Sequence, residues 1–203
     1  EHAQDGGAFP PSTNTTWATG SSVLVSGVTR TAPTNLDATF DTFTWDATAQ
    51  SKDIDLAGSI GGISGDFIIT STGARSLIWD GTTGSSLSVG GNLNVNGGTF
   101  VIADGTTSSV SAGGNVDVAA GASLILADGN GSGTLLAAGD VTFTGDVTTT
   151  AGAAGSVEVT GATTQNLAIN GTFTADIDLV LSGTGSTVAQ GDLTIPGSLT
   201  ETG

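Results

Sequence analysis

The chain lacks cysteine, methionine and tyrosine, and its 203 residues include one histidine and three basic residues. Without cysteine, and with His2 as the only histidine, thiol nucleophiles and histidine-assisted nucleophilic catalysis are excluded. A phosphate-binding loop needs a lysine behind its glycines, and Lys52, the only lysine, has no such surroundings. Paired carboxylates of the glycosidase type are the one catalytic pattern that the composition leaves open. We therefore predict no catalytic residues and a protein that is not an enzyme.

Nineteen acidic residues give the chain a formal net charge of −16. A polyanion repels phosphate backbones and anionic lipid head groups, and no apolar run approaches the length of a membrane span. We expect neither a nucleic-acid nor a membrane partner, which leaves cations, neutral glycans and further copies of the chain. The chain begins with Glu1 rather than methionine, which favours removal of a signal peptide and an extracellular location.

Glycine is abundant, with 33 residues, and it marks an internal repeat. A short pattern of glycine, Asx and an apolar residue recurs in six copies that stay in phase along the chain, with Gln165 in place of the glycine in the fifth. Successive copies are about 25 residues apart, a period that is typical of stacked repeat architectures. The copies are Gly65-Asp66-Phe67, Gly91-Asn92-Leu93, Gly114-Asn115-Val116, Gly139-Asp140-Val141, Gln165-Asn166-Leu167 and Gly191-Asp192-Leu193.

Each repeat contains three short apolar segments separated by Gly, Asp and Asn, and apolar residues alternate with polar ones inside them. This period of two indicates strands with one buried face. One repeat cannot bury that face alone, but stacked repeats can. The sequence thus predicts an all-β protein, a parallel β-solenoid of about six coils, with Leu77, Val101 and Ile125 or their immediate neighbours in one inward column. A sandwich or a propeller is the competing architecture.

The segment 1–60 does not follow the repeat. We predict an extended N-terminal arm over 1–20, a non-repeat β cap or connector over 21–60, and the solenoid repeats over 61–203. We predict that subunits assemble through free strand edges and that the segment 1–45 makes the contact with a neighbouring subunit, with a cap on its own solenoid as the alternative. The candidate assembly residues are its large apolar side chains Val23, Leu24, Val25, Phe40, Phe43 and Trp45.

Three aspartates recur at equal steps along the repeats, namely Asp80, Asp104 and Asp128. In a solenoid they would lie about 4.8 Å apart, one coil above the next. Their oxygens are predicted either to serve the turns, with solvated carboxylates, or to hold calcium weakly; no other cofactor is expected. Asn14, Asn130 and Asn170 fit the N-glycosylation sequon and are candidate acceptors.

The repeats at Gly90-Gly91-Asn92-Leu93-Asn94-Val95 and Gly113-Gly114-Asn115-Val116-Asp117-Val118 resemble the β-helical repeats of secreted bacterial surface proteins. Autotransporter passenger domains and filamentous-haemagglutinin-type adhesins are similar, and the resemblance covers residues 65–195. It implies a cell-surface stalk, adhesin or matrix component. We therefore expect a secreted structural protein that forms a filament or surface layer, with a glycan- or surface-binding adhesin as the alternative and an ice-binding solenoid as a third option.

Overall fold

The computed structural model describes residues 1–11, 17–150, 152–173, 177–191 and 194–202. Within these ranges the regular elements are all strands. Their bounds are β1 Ser22–Val25, β2 Thr39–Phe40, β3 Thr42–Asp46, β4 Ile54–Asp55, β5 Gly62–Ile63, β6 Phe67–Ser71, β7 Ser76–Asp80, β8 Ser86–Val89, β9 Leu93–Val95, β10 Thr99–Asp104, β11 Thr107–Ala112, β12 Val116–Val118, β13 Ser123–Asp128, β14 Ser132–Ala137, β15 Val141–Phe143, β16 Asp146–Thr149, β17 Ala154–Val159, β18 Gln165–Ile169, β19 Ile177–Leu181, β20 Thr187–Ala189 and β21 Leu199–Glu201.

The strands form three sheets in which successive coils pair in parallel. The first sheet has the order β1-β3-β6-β9-β12-β15-β18-β20, and the second has the order β4-β7-β10-β13-β16. The third has the order β2-β5-β8-β11-β14-β17-β19-β21. One coil, such as β6 followed by β7 and β8, contributes one strand to each sheet. The predicted parallel β-solenoid is confirmed, with about eight turns rather than six.

The core lies inside the column, where alternate residues of every sheet meet. In the second sheet, Leu77 pairs with Phe100 and Phe100 with Leu124, and all three side chains are buried in the main apolar cluster. Val101 and Ile125 pair with each other in the adjacent column, on the opposite face of that sheet. The predicted inward column is therefore confirmed for Leu77 and for the immediate neighbours of the other two residues.

The stack begins before the sequence repeat does. β1 pairs with β3 over its whole length, and β3, β4 and β5 pair with the first repeat strands β6, β7 and β8. The sheets thus continue across residue 61. The early strands bury alternate side chains as the later ones do, for example Phe43 and Trp45 in β3, although no Gly-Asx pattern marks them.

Candidate assembly surfaces and ladder sites

The six candidate assembly residues lie mostly inside the chain's own core. Five of them are at most 3 % exposed, and Leu24 is half-buried. Their apolar surface is covered by the coils above and by the N-terminal segment, so in this fold it is not available to a neighbouring subunit. The five buried residues are Val23, Val25, Phe40, Phe43 and Trp45.

Residues 1–11 pair with the first full coil of the same chain. The His2 amide donates to the Leu24 carbonyl over 2.6 Å, and the Ser26 amide donates back to the His2 carbonyl over 2.9 Å. Further along, the Phe9 amide donates to the Thr34 carbonyl over 3.0 Å. Within one chain these residues therefore cover the end of their own column, and the pairing of this segment with a neighbouring subunit stays a prediction.

The Asp5 carboxylate fixes this arm to the next coil. Its Oδ1 accepts the backbone amides of Thr29, Arg30 and Thr31 over 2.8–3.0 Å, and its Oδ2 accepts the Thr29 hydroxyl over 3.1 Å. These hydrogen bonds, led by that from the Arg30 amide, lower the pKa of Asp5 to about 2. Sequence reasoning missed this contact, and the only available signal was the turn-forming Asp5-Gly6 pair.

An aromatic row closes the same end of the column and continues into the core. Ring centroids lie 5.3–6.3 Å apart along the row, within the usual range for paired aromatic side chains. Of the three tryptophans, Trp45 and Trp79 are fully buried and Trp17 is half-buried. The row comprises Phe9, Trp17, Phe40, Phe43, Phe67 and Phe100.

The Asp/Asn positions of the repeat form a hydrogen-bonded ladder along one corner, here called the Asx ladder. Asp66 Oδ1 accepts the Asn92 amide over 2.7 Å, and Asn92 Oδ1 accepts the Asn115 amide over 2.8 Å. The same contact joins Asn115 to Asp140 and Asp140 to Asn166, over 2.9 and 2.8 Å. Each side chain thus satisfies a backbone donor one coil above it. Asp192 lies outside the described residues.

At Gly91, Gly114 and Gly139 the absence of a side chain makes room for this contact. A Cβ on Gly91 would lie 2.4 Å from Asp66 Oδ1, and one on Gly114 would lie 2.5 Å from Asn92 Oδ1. The side-chain oxygen of the coil below therefore occupies the space that a larger residue would fill. At the fifth copy Gln165 replaces this glycine, and its buried amide donates to the Gly139 carbonyl over 2.6 Å.

Carboxylates are never adjacent in the described part of the Asx ladder. Asn92 and Asn115 separate Asp66 from Asp140, so the ladder avoids like charges about 4.8 Å apart.

Replacing Asn115 with alanine removes an acceptor and is expected to lower the free energy of unfolding by about 1 kcal/mol. Asn115→Asp keeps the acceptor but adds a charge beside Asp140, so we expect a smaller loss that added salt reduces. Urea unfolding of both variants measures this, and equal losses would contradict it.

The three aspartates of the predicted calcium site do not form one column. Asp104 pairs with Asp128, but Asp80 pairs with Ala103, because the register between β7 and β10 is one position shorter than the spacing of the motif. A shift of one residue moves a side chain to the other face of a sheet. In the described ranges, no group of three or more His, Cys, Asp or Glu residues is arranged to hold a metal ion.

Asp80 is fully buried, and hydrogen bonds hold its carboxylate. Its Oδ1 accepts the amides of Thr82 and Thr83 over 2.9 and 3.0 Å, and its Oδ2 accepts the Ser108 hydroxyl over 3.3 Å. Burial raises the pKa of Asp80, but hydrogen bonds from Thr83, Thr82 and Ser85 outweigh it and lower that pKa to about 2. The Asp80 carboxylate thus accepts hydrogen bonds from the turn that follows β7, which is the first of the two roles predicted for these aspartates.

Asp104 has the opposite electrostatic environment. Burial is the main cause that raises its pKa, and the carboxylates of Asp128, Asp55 and Asp53 raise it further. Two aspartates that look equivalent in the repeat therefore respond to pH in opposite directions.

Substitution of Asp80 and Asp104 with asparagine should change stability with opposite signs. The pKa of folded Asp80 is depressed, so its contribution is present above its ordinary pKa of 3.8 and is lost as pH falls towards 2. Asp80→Asn should therefore lower the urea midpoint at pH 7, and the difference should shrink below about pH 4. The pKa of folded Asp104 is raised, so Asp104→Asn should raise the midpoint at pH 7 and have no effect at low pH. The same sign for both variants at pH 7 would contradict this assignment.

The structure describes two of the three sequon asparagines. Asn130 and Asn170 are exposed, which an acceptor requires; their glycosylation stays a prediction. Asn14 lies outside the described residues.

The last described coil is paired on one side only. Among the described strands, β20 pairs only with β18 and β21 pairs only with β19. These two strands also carry Val188, 42 % exposed, and Leu199, 57 % exposed, the two exposed large apolar side chains of the described residues.

No family model, curated protein or solved structure gives a significant match to this chain. In the ranges that the structure describes there is no helix of the length and apolar character needed to cross a membrane.

Proposed function

We propose that the chain is a secreted, non-catalytic structural protein, a subunit of an extracellular filament or surface layer whose columns continue end to end. The observation that supports this most directly is that β20 and β21 are each paired on one side only among the described strands. A free edge presents unpaired amides and carbonyls that an added strand satisfies. Leu199 pairs with the buried Leu179 and so lies on the core side of the last coil, where its exposed side chain adds apolar surface to the same contact.

The opposite end of the column supplies the second surface of this contact. Residues 1–11 hydrogen-bond to the coil above them, which leaves the other side of this partial coil facing along the column axis. A contact between two different ends is heterologous, and if it does not close into a ring it produces a filament. In this proposal the arm contributes as a fixed end coil, and not as a released strand.

Electron microscopy and light scattering over a range of protein concentrations test the proposal. The wild type is expected to form filaments as concentration rises. Leu199→Lys should weaken assembly without unfolding the column, because Leu199 is more than half exposed. Thr142→Lys, on the outer face of β15, is the matched control and should assemble normally. A wild-type chain that stays monomeric at high concentration would reject the filament.

A glycan-binding adhesin is the second candidate, and one feature favours it. A cavity of about 270 Å³ at the N-terminal end is lined by His2, Phe9 and Trp17, among others. Aromatic faces of this kind stack on the apolar faces of neutral sugars. Trp17 is the one tryptophan that is not fully buried, so fluorescence titration of the wild type and Trp17→Ala with neutral hexoses tests this alternative. A signal that is identical in both proteins would reject it.

A further inference from the structure

Three asparagines of the chain are followed directly by glycine, and all three are exposed. Glycine has no side chain to hinder attack by its amide nitrogen on the preceding asparagine, so asparagine is chemically least stable in such pairs. Attack also requires the glycine amide to leave its hydrogen bond. Because sequence and exposure are alike, the backbone around each pair decides its reactivity. The pairs are Asn96-Gly97, Asn130-Gly131 and Asn170-Gly171.

Two of the pairs lie where the first sheet leads into the second, and both of their amides are held by the coil below. The two amides of Asn170-Gly171 donate to the Phe143 carbonyl over 2.7 and 2.9 Å. The two amides of Asn96-Gly97 share the Ile69 carbonyl in the same way, over 2.8 and 3.3 Å. Attack at either pair therefore requires local separation of two coils, and the shorter glycine bond makes Asn170 the better protected of the two.

The third pair, Asn130-Gly131, lies in the turn between β13 and β14, where the second sheet leads into the third. The Gly131 amide donates to the Asp128 carbonyl over 3.2 Å, which closes a turn within one coil. Opening this hydrogen bond disturbs that turn alone, and local opening of this kind costs less free energy than separation of two coils. The Gly131 amide is therefore released more often than the other two glycine amides.

We propose that Asn130 is a site of spontaneous deamidation in the folded protein. The Gly131 amide nitrogen attacks Cγ of Asn130 and forms a C–N bond that closes a cyclic succinimide. The bond from Cγ to the side-chain nitrogen breaks, and that nitrogen leaves as ammonia with the proton of the Gly131 amide. Water then opens the ring to aspartate or isoaspartate, so a carboxylate is gained without any oxidation or reduction. Water is the only co-reactant.

Deamidation and glycosylation compete for this side chain. Asn130 also belongs to a sequon, and a glycan on its side-chain nitrogen would occupy the group that must leave. A chain without a glycan instead gains a carboxylate two residues after Asp128, in a protein whose net charge is already −16. The site thus takes one of two modifications, and deamidation removes the sequon permanently.

Peptide mapping by mass spectrometry tests the site in wild-type protein produced without N-glycosylation and incubated at mildly alkaline pH. Elastase is the suitable protease, because no basic residue follows Arg75 and trypsin would leave the repeats uncut. In the folded protein we expect deamidation at Asn130 to be several-fold faster than at Asn170, with Asn96 between them. Equal rates at Asn130 and Asn170, or a faster rate at Asn96 than at Asn130, would overturn the proposal.

The same chain in concentrated urea is the matched control. Unfolding removes the hydrogen bonds at all three pairs, so their rates should become similar. If Asn130 remained several-fold faster than Asn170 in urea, the flanking sequence and not the fold would be responsible, and the proposal would fail. Asn130→Gln keeps a side-chain amide but adds a methylene that disfavours ring closure, so it should abolish the fast step. A fast step that persists in this variant would also contradict the assignment to Asn130.

Discussion

Replacing Gly133 with alanine is expected to lower the free energy of unfolding by more than about 3 kcal/mol, or to prevent folding. A Cβ on Gly133 would lie 1.7 Å from the Leu126 carbonyl oxygen and 2.4 Å from the carbonyl carbon. Both are backbone atoms, so no side-chain rotation relieves the overlap. The strand β14 would have to move away from β13 at the corner between the second and third sheets.

Gly62→Ala is the matched control for this substitution. Gly62 is also a buried strand glycine of the third sheet, but the nearest atom to its added Cβ would be Thr39 Oγ1 at 3.7 Å. We expect a change within about 1 kcal/mol, since alanine also reduces the entropy of the unfolded chain. Urea unfolding followed by circular dichroism compares the two, and similar midpoints would show that the corner accommodates a methyl group.

Phe67→Ala is expected to lower the free energy of unfolding by about 3–5 kcal/mol, as for other buried phenylalanines. The Phe67 ring lies edge-on to both Phe43 and Phe100, with centroids 5.8 and 5.5 Å apart. Its removal leaves a cavity between two coils and interrupts the aromatic row that joins the N-terminal end to the repeats.

Ile68→Ala is the control next to it in the chain. Ile68 points to the outer face of β6 and is half-buried, so its loss removes less apolar contact and should lower the free energy of unfolding by about 1 kcal/mol. Thermal and urea unfolding measure both variants. A loss at Ile68 that equals the loss at Phe67 would mean that the aromatic row contributes no more than an ordinary outer contact.

The architecture was predictable because one physical pattern repeats. In the repeat coils the Asx side chain accepts a hydrogen bond from the coil above, and the glycine before it makes room for the side chain below. This local arrangement marks the copies in the sequence, with Gln165 in place of the glycine at the fifth. The first coils could not be predicted in this way, because the segments that form β1 to β5 show only an alternation of apolar residues. They have no Gly-Asx pattern that would identify them as further coils.

The predicted calcium site shows why strand register cannot be inferred from the spacing of a sequence motif alone. Asp80, Asp104 and Asp128 recur at equal steps, but strand pairing is set by the packing of whole coils and differs by one position between β7 and β10. The motif period therefore stays at 24 residues although the pairing of β7 with β10 is offset by one position. As a result, Asp80 lies on the opposite face of the sheet from Asp104 and Asp128. Asp80 is consequently buried beside Ser108, and only Asp104 and Asp128 are neighbours.

The Asx ladder has a consequence for how the length of this protein can change. Because each rung contacts only the rungs directly above and below, one complete coil is an interchangeable unit. Excision of residues 92–114 would bring Asn115 directly after Gly91, with Asp66 as its new neighbour below and the order of strands in every sheet preserved. Whole-coil duplication or loss thus alters the column by steps of about 4.8 Å, and a gene that encodes it can vary the reach of the molecule without redesigning its core.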